Sequence, residues 1–358
     1  MPNPYTQLPK DRFWRSAVAE RTIFGLENLY TRKFDITRTD KVAAAGSCFA
    51  QHVTRNLKQR GFNVLDVEPA PSFLPKQMAK EQGYGLYSAR YGNIYTVRQF
   101  LQLLNDARDG RVREEDFTLV GGRYIDLLRP NACGRGFDSL PEAVEARSEH
   151  LERVRQLFGS AELVVFTLGL TEGWVNSSTG TVYPLCPYTV AEDLPPAYEF
   201  HNFTFGEILD DLIAARTHLQ GISPGVRMLL TTSPVPLTAT ASDRHVMVAN
   251  SYSKSVLRAV CGEMEQRFSD VDYFPSYEVI TAATSRGVFY EANMRSVSPT
   301  GVDLAMKIFF EQHDRTPRPV ESAAPGPAAD PDPRRTTQAE MDEEEVSCDE
   351  VLLESFSR

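Results

Sequence analysis

The sequence predicts an α/β fold, a three-layer α/β/α sandwich around a mostly parallel sheet. Three observations predict it. Short apolar runs alternate with amphipathic stretches from about residue 41 to 310, the pattern of chained βαβ units. The run from Ala161 to Gly169 is apolar almost throughout, as a strand covered on both faces is. Two further runs, Val42 to Ala45 and Val226 to Thr232, end in turns marked by Gly46 and by Ser233-Pro234.

The elements follow in order. Residues 1–39 mix Trp14, Phe24, Leu26 and Tyr30 with charges and read as an arm packed on the core, with a helix expected over Ser16 to Asn28. Val42 to Ala45 is the first strand, Gly46 lets the chain turn sharply, and Phe49 to Arg60 carries Val53 and Leu57 at helical spacing. A Pro-bearing loop follows, and then Thr96 caps a helix over Val97 to Leu104. Residues 106–141 are polar and glycine-bearing, with a strand-like Tyr124 to Leu128, and read as an insertion. Leu140 to Phe158 is an amphipathic helix with Pro141 in its first turn. Thr204 introduces a helix over Phe205 to Leu219, Lys254 to Phe268 forms another, and Val271 to Phe274 is a last short strand. The folded domain is expected over 40–315. Residues 316–358, first Pro- and Ala-rich and then acidic, bury too little apolar surface to fold and are expected to form a disordered tail.

Composition narrows the functional classes. With 358 residues, 42% of them hydrophobic, the chain can bury a large core. A net charge of −10 argues against a phosphate-tracking surface, so no nucleic-acid partner is expected, although the acidic tail carries much of that charge. No run of about eighteen apolar residues occurs, and the N-terminus lacks a basic region followed by an apolar run, so no membrane insertion is expected and the chain reads as cytoplasmic. Five scattered cysteines fit reduced thiols better than a disulfide framework, and neither their spacing nor that of the six histidines suggests a metal site. No stripe of surface aromatics indicates an oligomeric interface, and the oligomeric state stays open.

Chemistry concentrates at Lys41 to Val53. The reading puts Cys48 at a strand-to-helix turn, where a side chain stands above the sheet and the first N–H groups of the helix face whatever it attacks. Those donors and the helix dipole favour a thiolate. Gly46-Ser47-Cys48-Phe49-Ala50 spells the motif of the GSCFA family, which this chain resembles. Further family-like blocks recur at Tyr91 to Tyr95, Phe166 to Glu172, Ser233 to Pro236, Tyr252-Ser253-Lys254 and Tyr273 to Glu278, so that the resemblance covers roughly residues 40–310. That family looks like a branch of the SGNH/GDSL hydrolases, whose first block reads Gly-Asp-Ser. On this resemblance Gly46 matches the Gly, Ser47 the Asp, and Cys48 replaces the nucleophilic Ser.

The resemblance implies further roles. Gly92, with Asn93 beside it, matches the loop glycine whose N–H helps form an oxyanion hole; on residue type alone the pair could equally supply a turn with positive φ. Thr171 and Glu172 stand where the superfamily carries a Gly-x-Asn-Asp block, so its amide donor is replaced. The superfamily's Asp-x-x-His base block is altered too, with Asn293 at the Asp and Ser296 at the His. The base then comes from His245, with Asp243 nearby, or from His52, four residues beyond Cys48, unless Arg295 activates the thiol by charge alone. His245 is the preferred reading.

Two functions follow as expectations. The first is an acyl-transfer enzyme, an esterase or O-acyltransferase, in which Cys48 attacks an ester or thioester and passes the acyl group to water or to a hydroxyl of a small molecule or glycan. No cofactor is required, and coenzyme A is a candidate acyl donor. The second is a non-catalytic ligand-binding module that keeps the fold but has lost the acid and base. A third reading makes Cys48 a redox thiol with Cys186 as its resolving partner.

Overall fold

The computed structural model describes residues 3–314 apart from 133, 135, 193 and 195–197, together with Leu353. The expected tail therefore lies outside the described residues, save for that one position. The fold is α/β. Its elements in order are β1 (Val42–Gly46), α1 (Phe49–Gln59), α2 (Lys76–Glu81), α3 (Val97–Asp109), β2 (Phe117–Val120), β3 (Arg123–Asp126), α4 (Leu140–Ser160), β4 (Leu163–Leu168), β5 (Glu172–Asn176), β6 (Val182–Tyr183), β7 (Tyr198–Asn202), α5 (Phe205–Ile222), β8 (Arg227–Thr232), α6 (Val246–Arg267), β9 (Val271–Tyr273), α7 (Ser276–Thr281) and α8 (Pro299–His313).

The central sheet runs β1-β4-β8-β9, all parallel, with Gly46 opposite Thr167 and Thr167 opposite Thr231. Alternation along each strand builds two cores. Ala43, Ala45, Val164, Phe166, Leu168, Met228 and Leu230 meet α3, α4, α5 and α6 on one face. Val42, Leu163, Val165 and Leu229 meet α1, α7 and α8 on the other. Phe100 of α3 stacks on Phe166 with centroids 4.4 Å apart, and each such buried ring adds about 2 kcal/mol of apolar burial. Small residues in β1 leave room for α1 to approach closely, and Thr96 and Thr204 cap α3 and α5 through full capping boxes with Gln99 and Glu207.

After α1 the chain returns along the outer side of β1, where Val64 bridges Val42 in parallel, and only later crosses to β4 on the other side. Connections therefore leave β1 in opposite directions, and the C-terminal ends of β1 and β4 flank a topological switch point, where open α/β sheets bind ligands.

Two features depart from the sequence reading, and a third extends the strand it expected in the insertion. The arm has no helix over Ser16 to Asn28; it holds a π turn at Arg15–Ala19 and a 3-10 turn at Ile23–Gly25, because the chain breaks between them. Its later half is tied down by Tyr30, whose hydroxyl donates to Asp272 at 2.8 Å, while Trp14 stays 73% exposed. A small antiparallel sheet, β6-β5-β7, follows β4 directly, with Trp174 opposite both Tyr183 and Phe200. The insertion forms the β2-β3 hairpin, anchored by buried Asp126, which pairs with Arg129 at 2.8 Å and lies 3.5 Å from Arg147.

Candidate functional site

The C-terminal edge of the sheet gathers the motif residues. Gly46 ends β1 at φ +131°, and a Cβ there would lie 2.4 Å from the Thr167 carbonyl oxygen, so only glycine lets the two strand ends meet. Ser47 N–H donates to that same oxygen at 3.0 Å. Cys48 then adopts helical angles at the N-cap of α1, and the N–H groups of Ala50 and Gln51 close onto the carbonyls of Ser47 and Cys48. Cys48 is 4% exposed, at the floor of the edge rather than at its rim.

A loop straddles the switch point. Ile94 N–H donates to Gly46 O at 2.9 Å, and Tyr95 O accepts from the N–H groups of Gly169 and Leu170 at 3.1 and 2.9 Å. The segment from Gly92 to Tyr95 is thereby fastened to the ends of both β1 and β4. Gly92 has φ +69° with open space where a Cβ would be. Asn93 is buried, and its orientation is set by a chain: Gln51 Nε2 donates to the Tyr87 hydroxyl at 3.1 Å, and that hydroxyl donates to Asn93 Oδ1. With Oδ1 accepting from Tyr87, the amide NH2 is turned to the other side.

The turn after β4 completes the edge. Gly169 packs so closely on Ser47 that a Cβ on it would sit 2.9 Å from Ser47 Cβ. Thr171 N–H donates to Ser253 Oγ at 3.0 Å, and Lys254 Nζ donates to Gly169 O at 2.8 Å. The hydroxyls of Ser47, Thr167 and Thr171 are buried without a hydrogen-bond partner. Glu172 is half-buried; burial raises its carboxyl, opposed by the hydrogen bond from Thr240 Oγ1 at 2.8 Å.

The proposed bases are placed differently. His245 is exposed and caps α6, its Nδ1 accepting from Met247 N–H at 3.2 Å, which places the neutral ring's proton on Nε2 and occupies the basic nitrogen with the cap. His52 is buried beside Phe49, and burial, helped by the Arg55 charge, pushes it down to about 4, so it is neutral at pH 7. Arg295 donates through Nε to Pro236 O at 3.2 Å, and Tyr290 donates to Pro234 O at 2.8 Å; these bonds press the 290–295 segment onto the loop after β8. Asn293 accepts from the N–H groups of Arg295 and Ser296 and donates to Ser296 Oγ, closing a turn on the surface. Cys186 is half-buried with its thiol raised by burial, and among the described residues Cys48, Cys186 and Cys261 take part in no disulfide.

Lys254 is the edge residue whose place the sequence hides, since a lysine on a helix reads as solvent-facing. A cavity of about 360 Å³ opens elsewhere, lined by Leu104, Phe158, His218 and Ile222 near the C-terminal turns of α3, α4 and α5, and it holds none of the motif residues. A second, of about 20 Å³, lies against Asn93 and Arg147. Among the described residues no cluster of His, Cys, Asp and Glu is arranged to hold a metal ion, and no helix is long and apolar enough to cross a membrane.

Among solved structures the chain is similar to the salicylyl-acyltransferase SsfX3 from a tetracycline biosynthetic pathway, at 14% identity with a TM-score of 0.26. That match spans 50% of each chain, so only half of that protein's length is represented, and a likeness this loose carries nothing about activity. No curated protein matches the sequence. The family model of GSCFA, in contrast, matches residues 41–309, from the start of β1 to the penultimate turn of α8, and therefore takes in every edge residue described above: the chain belongs to the GSCFA family.

Proposed function

We propose that the sheet edge is an acyl-transfer site with Cys48 as nucleophile. The observation that carries the reading is the convergence, at one switch point, of a cysteine at a helix N-terminus with an amide, Asn93, whose orientation is fixed by Tyr87. Cys48 Sγ attacks the carbonyl carbon of an ester or thioester. The tetrahedral oxyanion is held by the Cys48 N–H, the Asn93 amide and, from the same loop, Gly92. Collapse expels the alcohol or thiol with a proton and leaves an acyl-thioester on Cys48; water or a hydroxyl then takes the acyl group and returns the thiol. His245 takes the thiol proton on Nδ1, giving up its cap to Met247 N–H as it does so, and returns that proton to the leaving group. Ser47, Thr171 and Glu172 line the acceptor side, and Arg295 steadies the rim. The acceptor is a small-molecule or glycan hydroxyl, and coenzyme A is the proposed donor when transfer rather than hydrolysis occurs.

The test combines alkylation with acylation. Iodoacetamide labelling of the Cys48 peptide across pH should show a midpoint below the free value of about 8.5, raised in His245→Ala. Incubation with acetyl-coenzyme A or p-nitrophenyl acetate should leave an acetyl group on Cys48, absent in Cys48→Ala. A Cys48 that stays unlabelled while Cys186 reacts would sink the reading. A second reading, a ligand-binding module without catalysis, is favoured by the surface turn that Asn293 and Ser296 form with each other. It predicts ligand-induced stabilisation with no acyl adduct.

A further inference from the structure

Helix α6 reaches the sheet edge with two adjacent residues, and they grip one turn from both ends. Ser253 Oγ accepts from Thr171 N–H at 3.0 Å, and Lys254 Nζ donates to Gly169 O at 2.8 Å. The N–H groups of Gly169 and Leu170 are both bound by Tyr95 O. The turn from Gly169 to Thr171 is thus held in one position, and that position matters because Gly169 is the surface on which Ser47 rests. Lys254 is 1% exposed. A lysine is seldom placed so deep, because withdrawing an ammonium from water is costly unless local dipoles or charges replace the solvent. Further along the same helix the buried residues, Leu257, Val260, Cys261 and Met264, are apolar.

We propose that Lys254 is a positioning residue of the Cys48 site: its ammonium fixes the Gly169 turn beneath Ser47 and lends the thiolate a buried positive charge in the place of the missing histidine block. The reach fits. From the 2.8 Å bond to Gly169 O and the 2.9 Å approach of a Gly169 Cβ to Ser47 Cβ, standard bond lengths put Nζ no more than about 10 Å from Ser47 Cβ, on the residue that immediately precedes Cys48. A unit charge about 10–15 Å away through a protein interior moves a neighbouring titration by up to about one pH unit. Ser253 lends no charge, so the two halves of the clamp can be told apart. The inference rests on the acyl-transfer reading of Cys48 given above.

The experiment is the pH titration of Cys48 alkylation in the full chain, in wild type, Lys254→Met and Ser253→Ala, each checked for fold by circular dichroism. Expected is a midpoint up to about one unit higher in Lys254→Met and nearly unchanged in Ser253→Ala. Equal midpoints in wild type and Lys254→Met overturn the inference while leaving the nucleophile intact. So does a shift as large in Ser253→Ala, which would mean that the clamp acts only through structure. A wild-type Cys48 that does not react at all overturns both this and the acyl-transfer reading. If Lys254→Met does not fold, nitrogen NMR of the wild-type lysines decides: an amine at Lys254 that is neutral at pH 7 overturns the inference, and a solvent-shielded ammonium supports it.

Discussion

Replacing Gly46 with alanine tests how the edge is built. The added Cβ would stand 2.4 Å from Thr167 O, 2.6 Å from Thr167 N and 2.9 Å from Thr167 C, all backbone atoms of the adjacent strand. None is the tip of a flexible side chain, so relief requires β1 and β4 to part where Gly46 pairs with Thr167 and Ser47 N–H bonds Thr167 O. The φ of +131° adds strain of about 1–3 kcal/mol for a residue with a side chain. Overlap in a packed interior adds about 1–3 kcal/mol more. A loss of about 4 kcal/mol is expected, a large part of the roughly 5–15 kcal/mol that holds a domain folded. Gly92→Ala is the control: its φ is +69° but the added Cβ meets nothing within 4 Å, so it should lose only about 1–2 kcal/mol. Urea unfolding followed by circular dichroism reads both. If Gly46→Ala lost no more than Gly92→Ala, the claim that close strand contact dictates this glycine would be wrong.

Other outcomes follow from the same contacts. Tyr87→Phe leaves Gln51 Nε2 and Asn93 Oδ1 without the hydroxyl they share in a buried site, and urea unfolding should report a loss of about 1–3 kcal/mol. Asn93→Ala should lower acyl transfer by about 100- to 1000-fold with little change in substrate KM, the signature of a lost oxyanion donor; a change in KM alone would assign Asn93 to substrate binding. His52 and His313 are both pushed by burial to about 4, so the folded state keeps them neutral while the unfolded chain protonates them near 6.5. The unfolded state therefore binds more protons below that value, and stability present above pH 6.5 is lost as pH falls toward 4. His52→Gln should remove a share on the order of 3 kcal/mol of that acid loss, read as a flatter dependence of the urea midpoint on pH; an unchanged slope would contradict the burial argument.

What the sequence reveals and what it hides have physical reasons. β1, β4 and β8 are legible because strands covered on both faces must be apolar without interruption, and Gly46 is legible because a turn so tight admits little else. Thr96 and Thr204 announce their helices through chemistry local to four residues. The β5-β7 pairing is hidden: Glu172 meets Asn202, thirty residues away, and the strand itself reads Glu-Gly-Trp-Val-Asn, with no alternation to betray it. Helix α6 begins at Val246, eight residues before the first position its pattern suggests, because Met247 and Val248 are apolar yet exposed. At the site, Cys48 and Asn93 stand out by motif. Lys254 stands out by the Tyr252-Ser253-Lys254 block too, but its depth does not, since that depends on the turn after β4 that receives it, and no local signal encodes that encounter. His245 reads as a base by residue type, but its Nδ1 is engaged in a helix cap, a role visible only once the start of α6 is known.

The edge also carries a stability cost that its packing does not explain. Ser47, Thr167 and Thr171 bury hydroxyls with no partner among the protein's own atoms, and each such group left without a partner disfavours the folded state by about 1–3 kcal/mol. Thr167 is the informative one, because it faces the α1 side of β4, in register with Thr231, whose own hydroxyl is satisfied by Ser276 at 2.5 Å. Valine has the same shape as threonine, so Thr167→Val should keep the packing and remove the orphan hydroxyl, raising stability by about 1 kcal/mol in urea unfolding. An edge selected for stability alone would already hold valine there. If Thr167→Val stabilises the fold and also weakens acylation of Cys48, the hydroxyl is retained for what happens above the sheet. If it destabilises by 1 kcal/mol or more, a buried water satisfies Thr167, and the unpartnered hydroxyls belong to the architecture rather than to the chemistry.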